Sequence, residues 1–188
     1  MLVNERGDTG ETGETGDSSV PARLFAHNAW ANLKLLDFCE GLSDEQLDAT
    51  AVGCYGSIRD TLVHFVGGEV DYVNLANEKL PAVPLPSDRF LGFEVLREGV
   101  RWAGDELLQL AISARADTIV RVVRPQEPVF EYPLAGLMVQ VLNHSTEHRT
   151  QISTIITQLG LEPPSMSGWK YLREMGELHE FPQPAEGA

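Results

Sequence analysis

Four stretches of this chain place apolar side chains at steps of three and four residues. That spacing gives a helix one apolar face, so the chain must bury four such faces against one another. The first stretch begins at Pro21, which suits a first helical position, and Gly41 is a plausible stop. It carries Leu24, Asn28, Ala31, Leu35 and Phe38, flanked by Phe25, Ala29, Leu33 and Leu36. Ser43 and Gln46 form a capping box for a short turn through Leu47. Ser57 can cap the second helix, with Ile58, Leu62, Phe65, Val66, Val73 and Ala76 on one side. Pro81, Pro84 and Pro86 must end it, because proline lacks the backbone donor and disfavours helix before it. A third helix can start at Ser87 or Asp88, with Phe93, Leu96, Val100, Ala103, Leu107 and Leu110 as its stripe. The fourth runs from about Leu134 to Leu159, with Gly160, Pro163 and Pro164 beyond.

Between the third and fourth helices the texture changes. Residues 118–123 and 129–132 are rich in β-branched and aromatic side chains and flank Pro125 and Pro128, which predicts a small hairpin. The expected fold class is therefore all-α, a four-helix bundle with long crossover connections and a small β-hairpin between helices 3 and 4. Gly7, Gly10, Gly13 and Gly16 recur every third residue among Asp, Glu and Thr, with too few apolar side chains to offset the entropy of ordering them. Residues 1–20 are read as a flexible acidic tail, 21–180 as the bundle and 181–188 as a C-terminal tail. A chain of 188 residues suits one such domain.

Fourteen Lys and Arg against 28 Asp and Glu leave a formal net charge of -14. An acidic surface repels phosphate backbones and anionic lipid, so neither nucleic acid nor a membrane surface is an expected partner. No apolar run approaches the roughly 20 residues of a membrane span, and no basic-then-apolar leader opens the chain. Cys39 and Cys54 make no disulfide framework and read as reduced thiols in a cytoplasmic protein.

The chemistry concentrates in the fourth helix. His144 and His148 are four residues apart, hence about 40° apart on the helix surface, and can aim at one point. Leu137, Val141, Ile152, Ile155 and Leu159 continue their stripe, so both rings should face the core. A buried imidazole needs a partner, since an unsatisfied polar group costs about 1–3 kcal/mol. The pair alone is explained equally by hydrogen bonds to polar neighbours or by a metal ion, and an open metal site wants a third ligand. His64 is the best candidate for it, at the edge of the second helix's stripe beside Thr61, Gly68 and Asp71.

His144-Ser-Thr-Glu147-His148 also spells the H-x-x-E-H pattern of inverted zincin peptidases. Those enzymes are much larger, and no following helix here offers an obvious carboxylate ligand. Glu147 lies roughly 80° off the line bisecting the two histidines, which permits a flanking place outside the ligands.

Taken in order, three segments carry a resemblance. They are His27-Asn-Ala-Trp30-Ala-Asn32, Ser57-Ile-Arg-Asp-Thr-Leu-Val-His64-Phe65 and His144-Ser-Thr-Glu-His148-Arg149-Thr-Gln151. Together, over roughly Ala22 to Arg173, the chain resembles the DinB-like (DinB/YfiT) family of metal-dependent enzymes, which shares its name with an unrelated DNA polymerase. The resemblance implies a four-helix bundle, a homodimer and one divalent metal ion (zinc, nickel or iron) on His64, His144 and His148. Asn32, Glu147 and Arg149 are the candidates to support those ligands from outside. It further implies a small-molecule substrate and a low-molecular-weight thiol, with a thiol-dependent S-transferase as first choice and a hydrolase second. The alternative is a non-catalytic metal-binding or stress-related protein. Trp169-Lys-Tyr171 resembles a family segment that can pack near the site.

Overall fold

The computed structural model describes residues 19–77, 85, 89–113, 115, 117–123 and 126–181. The acidic repeat of the tail, the three prolines Pro81, Pro84 and Pro86, Ser87, Asp88 and most of the C-terminal tail lie outside the described residues. The elements in order are α1 (Val20–Cys39), α2 (Asp44–Leu47), α3 (Ile58–Asn77), α4 (Phe93–Ser113), β1 (Ile119–Val122), β2 (Phe130–Pro133), α5 (Leu134–Gln158) and α6 (Gly168–Glu174). The protein is thus mostly helical with one small antiparallel sheet, in which Ile119 faces Pro133 and Val122 faces Phe130.

Local chemistry explains the boundaries. Ser19 caps α1, accepting from the Ala22 amide, and proline occupies its first turn. Both halves of the Ser43–Gln46 capping box form at α2. At the start of α3, Ser57 Oγ accepts from the Asp60 amide and donates to Asp60 Oδ2 at 2.7 Å. The third long helix begins later than Ser87 or Asp88, because residues 89–92 are not helical. Gly92 holds φ at +103°, a conformation that a helix cannot include, and α4 starts immediately after it.

α1 packs on α4 and α5, and α3 packs on the same two helices, so the four long helices enclose one another. Gly104 on α4 meets Ala29 on α1 so closely that a β-carbon added at Gly104 would lie 2.8 Å from the Ala29 methyl. One apolar cluster gathers Leu35, Leu62, Phe65, Val100, Ile152 and Ile155, and another gathers Phe25, Val73, Leu107 and Val141. Along α1, α3 and α5 a polar layer separates them, made of Asn28, Asn32, Glu69, Ser145 and Arg149, all buried. The expected stripe of α1 is buried at Asn28, Ala31 and Leu35 but not at Leu24, which is 48% exposed, and the flanking Phe25 and Leu36 together with Asn32 are buried beside it. Leu159 at the end of α5 is likewise exposed. The sheet packs on α3 and α5 through Val120, Val122, Leu134 and Leu137. No helix among the described residues is long and apolar enough to cross a membrane.

Candidate metal centre

His64 on α3 and His144 and His148 on α5 meet at the seam of these two helices. His144 Nε2 lies 3.2 Å from His64 Nε2. The ring centroids are 5.0 Å apart for His64–His144, 4.8 Å for His64–His148 and 4.5 Å for His144–His148. One nitrogen of each ring falls within 4.8 Å of the other two. Two nitrogens bound tetrahedrally at about 2.0–2.1 Å from one ion would stand about 3.3 Å apart, close to the spacing of the first pair.

The surroundings fit a cation between the rings. His144 Nδ1 is buried without a hydrogen-bond partner. Burial in apolar surroundings pulls the His144 pKa down to about 4, helped by the adjacent His148 and His64 rings. Burial also lowers the pKa of His64, with His148 adding to the effect. Neutral imidazole is the form that binds metal, so these two ligands are already in the state that coordination requires. Gly68 makes the room, because a β-carbon there would lie 2.9 Å from His144 Cε1. Replacing Gly68 with Ala should therefore push the ring off its position and weaken metal binding by about tenfold. Circular dichroism should show undiminished helix, since alanine is the better helix former.

Aromatic rings wall the cluster. Tyr55 stacks on His64 with centroids 4.0 Å apart and planes at 14°, and it meets His148 edge-on. Tyr72 approaches His144 edge-on from the other side. A cavity of about 390 Å³ opens against His64 and Tyr55, with Phe90, Arg59 and Arg89 also in its wall. Arg59 is engaged by Asp44 and Asp48, whereas Arg89 has no ion pair among the described residues.

The depressed pKa of His144 has a consequence for the metal-free protein. Between its ordinary value of 6.5 and about 4, the unfolded chain takes up a proton that the folded ring refuses. Stability is therefore full above about pH 6.5 and falls as the pH drops toward 4, by roughly 1–2 kcal/mol after allowance for the ring's partial exposure. Urea unfolding of the metal-free protein at about pH 7 and about pH 5 should show this fall, reduced in a His144→Gln variant.

The other candidates are placed differently. Glu147 is exposed and makes no hydrogen bond to the three rings among the described residues. Asn32 and Arg149 are buried in the polar layer, where Arg149 Nη1 donates to Asn28 Oδ1 at 2.7 Å and to Asn32 Oδ1. His27 is half-buried and its Nε2 lies 3.0 Å from the Met166 carbonyl oxygen. Tyr171 packs on His27 and Trp30 rather than on the three histidines, and Trp169 is exposed. Sequence reasoning missed Tyr55 and Gln151 as neighbours of the site. Only the match of Gln151 to the end of the third resembling segment pointed its way.

The fold and the site together define a mainly helical protein with a three-histidine cluster that could hold one metal ion. The chain matches the DinB family over residues 13–180, and it belongs to that family. Among solved structures it is similar to a DinB-like protein from Bacillus cereus, with 17% identity and a TM-score of 0.54. That likeness spans 77% of this chain and 94% of the other, and at this identity it speaks to the fold alone. A search of curated proteins finds no match.

Proposed function

We propose that this chain is a metal-dependent enzyme that activates a small thiol for transfer to an electrophile, with hydrolysis as the second choice. The observation that carries the reading is the convergence of three imidazoles, two of them held neutral, beside a cavity of about 390 Å³. A divalent ion such as zinc, nickel or iron on His64, His144 and His148 would lower the pKa of a bound thiol or water, supplying a nucleophile near neutral pH. The three ligands of the cluster carry no negative charge, so the ion's full charge acts on whatever fills the open position. Tyr55 and Phe90 give the adjoining cavity aromatic walls for the body of a small molecule.

Around the site we infer a four-helix bundle, supported by the mutual packing of α1, α3, α4 and α5. A cytoplasmic location suits the two free cysteines, Cys39 and Cys54. Homodimer formation rests on the family resemblance. The net charge of -14 argues against nucleic acid as a partner.

The test is a panel of low-molecular-weight thiols offered with an electrophilic dye, each run with and without a chelator. Chelator-sensitive turnover with at least one thiol is the expected result. Failure with every thiol but chelator-sensitive cleavage of activated esters would move the reading to hydrolysis. Failure of both would favour a non-catalytic metal-binding or stress-related protein.

A further inference from the structure

Gln151 lies one turn beyond His148 on α5, half-buried, and its Oε1 faces two groups at once. The backbone N–H of Tyr55 donates to it at 3.2 Å, and His148 Nδ1 lies 3.0 Å away. A backbone N–H can only donate, so the atom facing it must be the carboxamide oxygen and not the nitrogen. That oxygen can only accept, so the His148 nitrogen beside it must carry the proton. His148 is then left with its lone pair on Nε2, the nitrogen free to face the other two rings. The Gln151 backbone carbonyl also accepts from Cys54 Sγ at 3.5 Å. The same residue therefore ties down the loop that carries Tyr55, whose ring stacks on His64.

We propose that Gln151 is a positioning residue of the metal centre: it selects the Nδ1–H tautomer of His148 and anchors the Tyr55 loop against the ligand set. Hydrogen bonds from ligating histidines to acceptors outside the ligand set orient the ring and raise its basicity, and losing one typically costs 10–100-fold in metal affinity. Here one oxygen serves a ligand on α5 and a loop over a ligand on α3. Its loss should disturb both sides of the seam. The role rests on the three-histidine reading, but its tautomer component is visible without any metal.

The experiment has two arms. In the metal-free protein, long-range proton–nitrogen correlation spectra should show His148 protonated at Nδ1, and in Gln151→Leu this preference should be lost. Zinc titrations should then show Gln151→Leu binding about 10–100-fold more weakly than the unaltered chain, and Gln151→Glu, which keeps the acceptor, binding at least as tightly as the unaltered chain. Any fall in the melting temperature of metal-free Gln151→Leu reports the lost loop anchor, whereas the loss of the Nδ1–H tautomer and its retention in Gln151→Glu are readouts that a merely structural role would not move. His148 protonated at Nε2 in the parent, or equal zinc affinity in Gln151→Leu, would overturn the proposal while leaving the three-histidine site standing. A parent chain that binds no zinc would overturn the site itself.

Discussion

Replacing Glu69 with Ala is expected to lower the folding stability by about 3–5 kcal/mol, the usual result of breaking a buried charge pair by removing one member. Glu69 is fully buried on α3. Its Oε1 accepts from Asn28 Nδ2 at 2.7 Å, Asn32 Nδ2 at 2.8 Å and Ser145 Oγ at 2.5 Å. The carbonyl oxygens of the same two asparagines accept from Arg149, which is 6% exposed. The two amides thus act as a double bridge between a buried anion and a buried cation. Burial lowers the pKa of Arg149, and the Glu69 charge opposes that fall. Without the carboxylate, three donors lose their acceptor and Arg149 loses its counter-charge inside the core.

Urea unfolding measures the effect. Glu69→Gln, which keeps an acceptor and drops the charge, should lose less than Glu69→Ala. The double variant Glu69→Leu, Arg149→Met should also lose less than Glu69→Ala, because it removes both charges together. A double loss equal to the sum of the singles would refute the coupling. The network matters for the metal centre because Glu69 follows Gly68 and Ser145 follows His144. It joins α1, α3 and α5 at the level where the histidines converge.

The second large effect is on metal affinity. Alanine at His64, His144 or His148 should each weaken zinc binding by more than the roughly 10–100-fold that loss of an outer hydrogen bond costs, since a coordinate bond goes with each ring. Alanine at His27 should change nothing, because that ring faces the Met166 carbonyl oxygen. Thermal unfolding provides an independent reading. A ligand at a hundred times its dissociation constant stabilises the folded chain by about 2.7 kcal/mol, so zinc should raise the melting temperature of the parent and of His27→Ala. In the three ligand variants the rise should largely vanish. A ligand variant as strongly stabilised as the parent would remove that histidine from the site.

Much of the architecture could be read from side-chain spacing, because helix faces, caps and the hairpin are written in neighbouring residues. His144 and His148 were legible for the same reason: four residues on a helix bring two rings together whatever else the chain does. The polar layer was not. Asn28, Asn32, Glu69 and Arg149 are the residue types that usually face water, and Glu69 lies about 140° around α3 from His64. Only the packing of three separate helices turns them into one network, in which Glu69 Oε1 takes three donors while its Oε2 is buried without a partner. Gln151 was hidden for a similar reason, since its partner Tyr55 comes from a loop 96 residues away in sequence. The late start of α4 depends on the backbone of Gly92, and glycine permits the conformation without announcing it.

The most direct test of the metal centre is a stoichiometry with the coordination read at the same time. The purified chain would be loaded with zinc, freed of excess by equilibrium dialysis, and analysed for metal per chain and by X-ray absorption at the zinc edge. The three-histidine centre predicts about one zinc per chain, with imidazole nitrogens at about 2.0–2.1 Å and a water oxygen in the remaining position. Zinc absent after dialysis, or bound with the same stoichiometry and spectrum in His144→Ala, would contradict it.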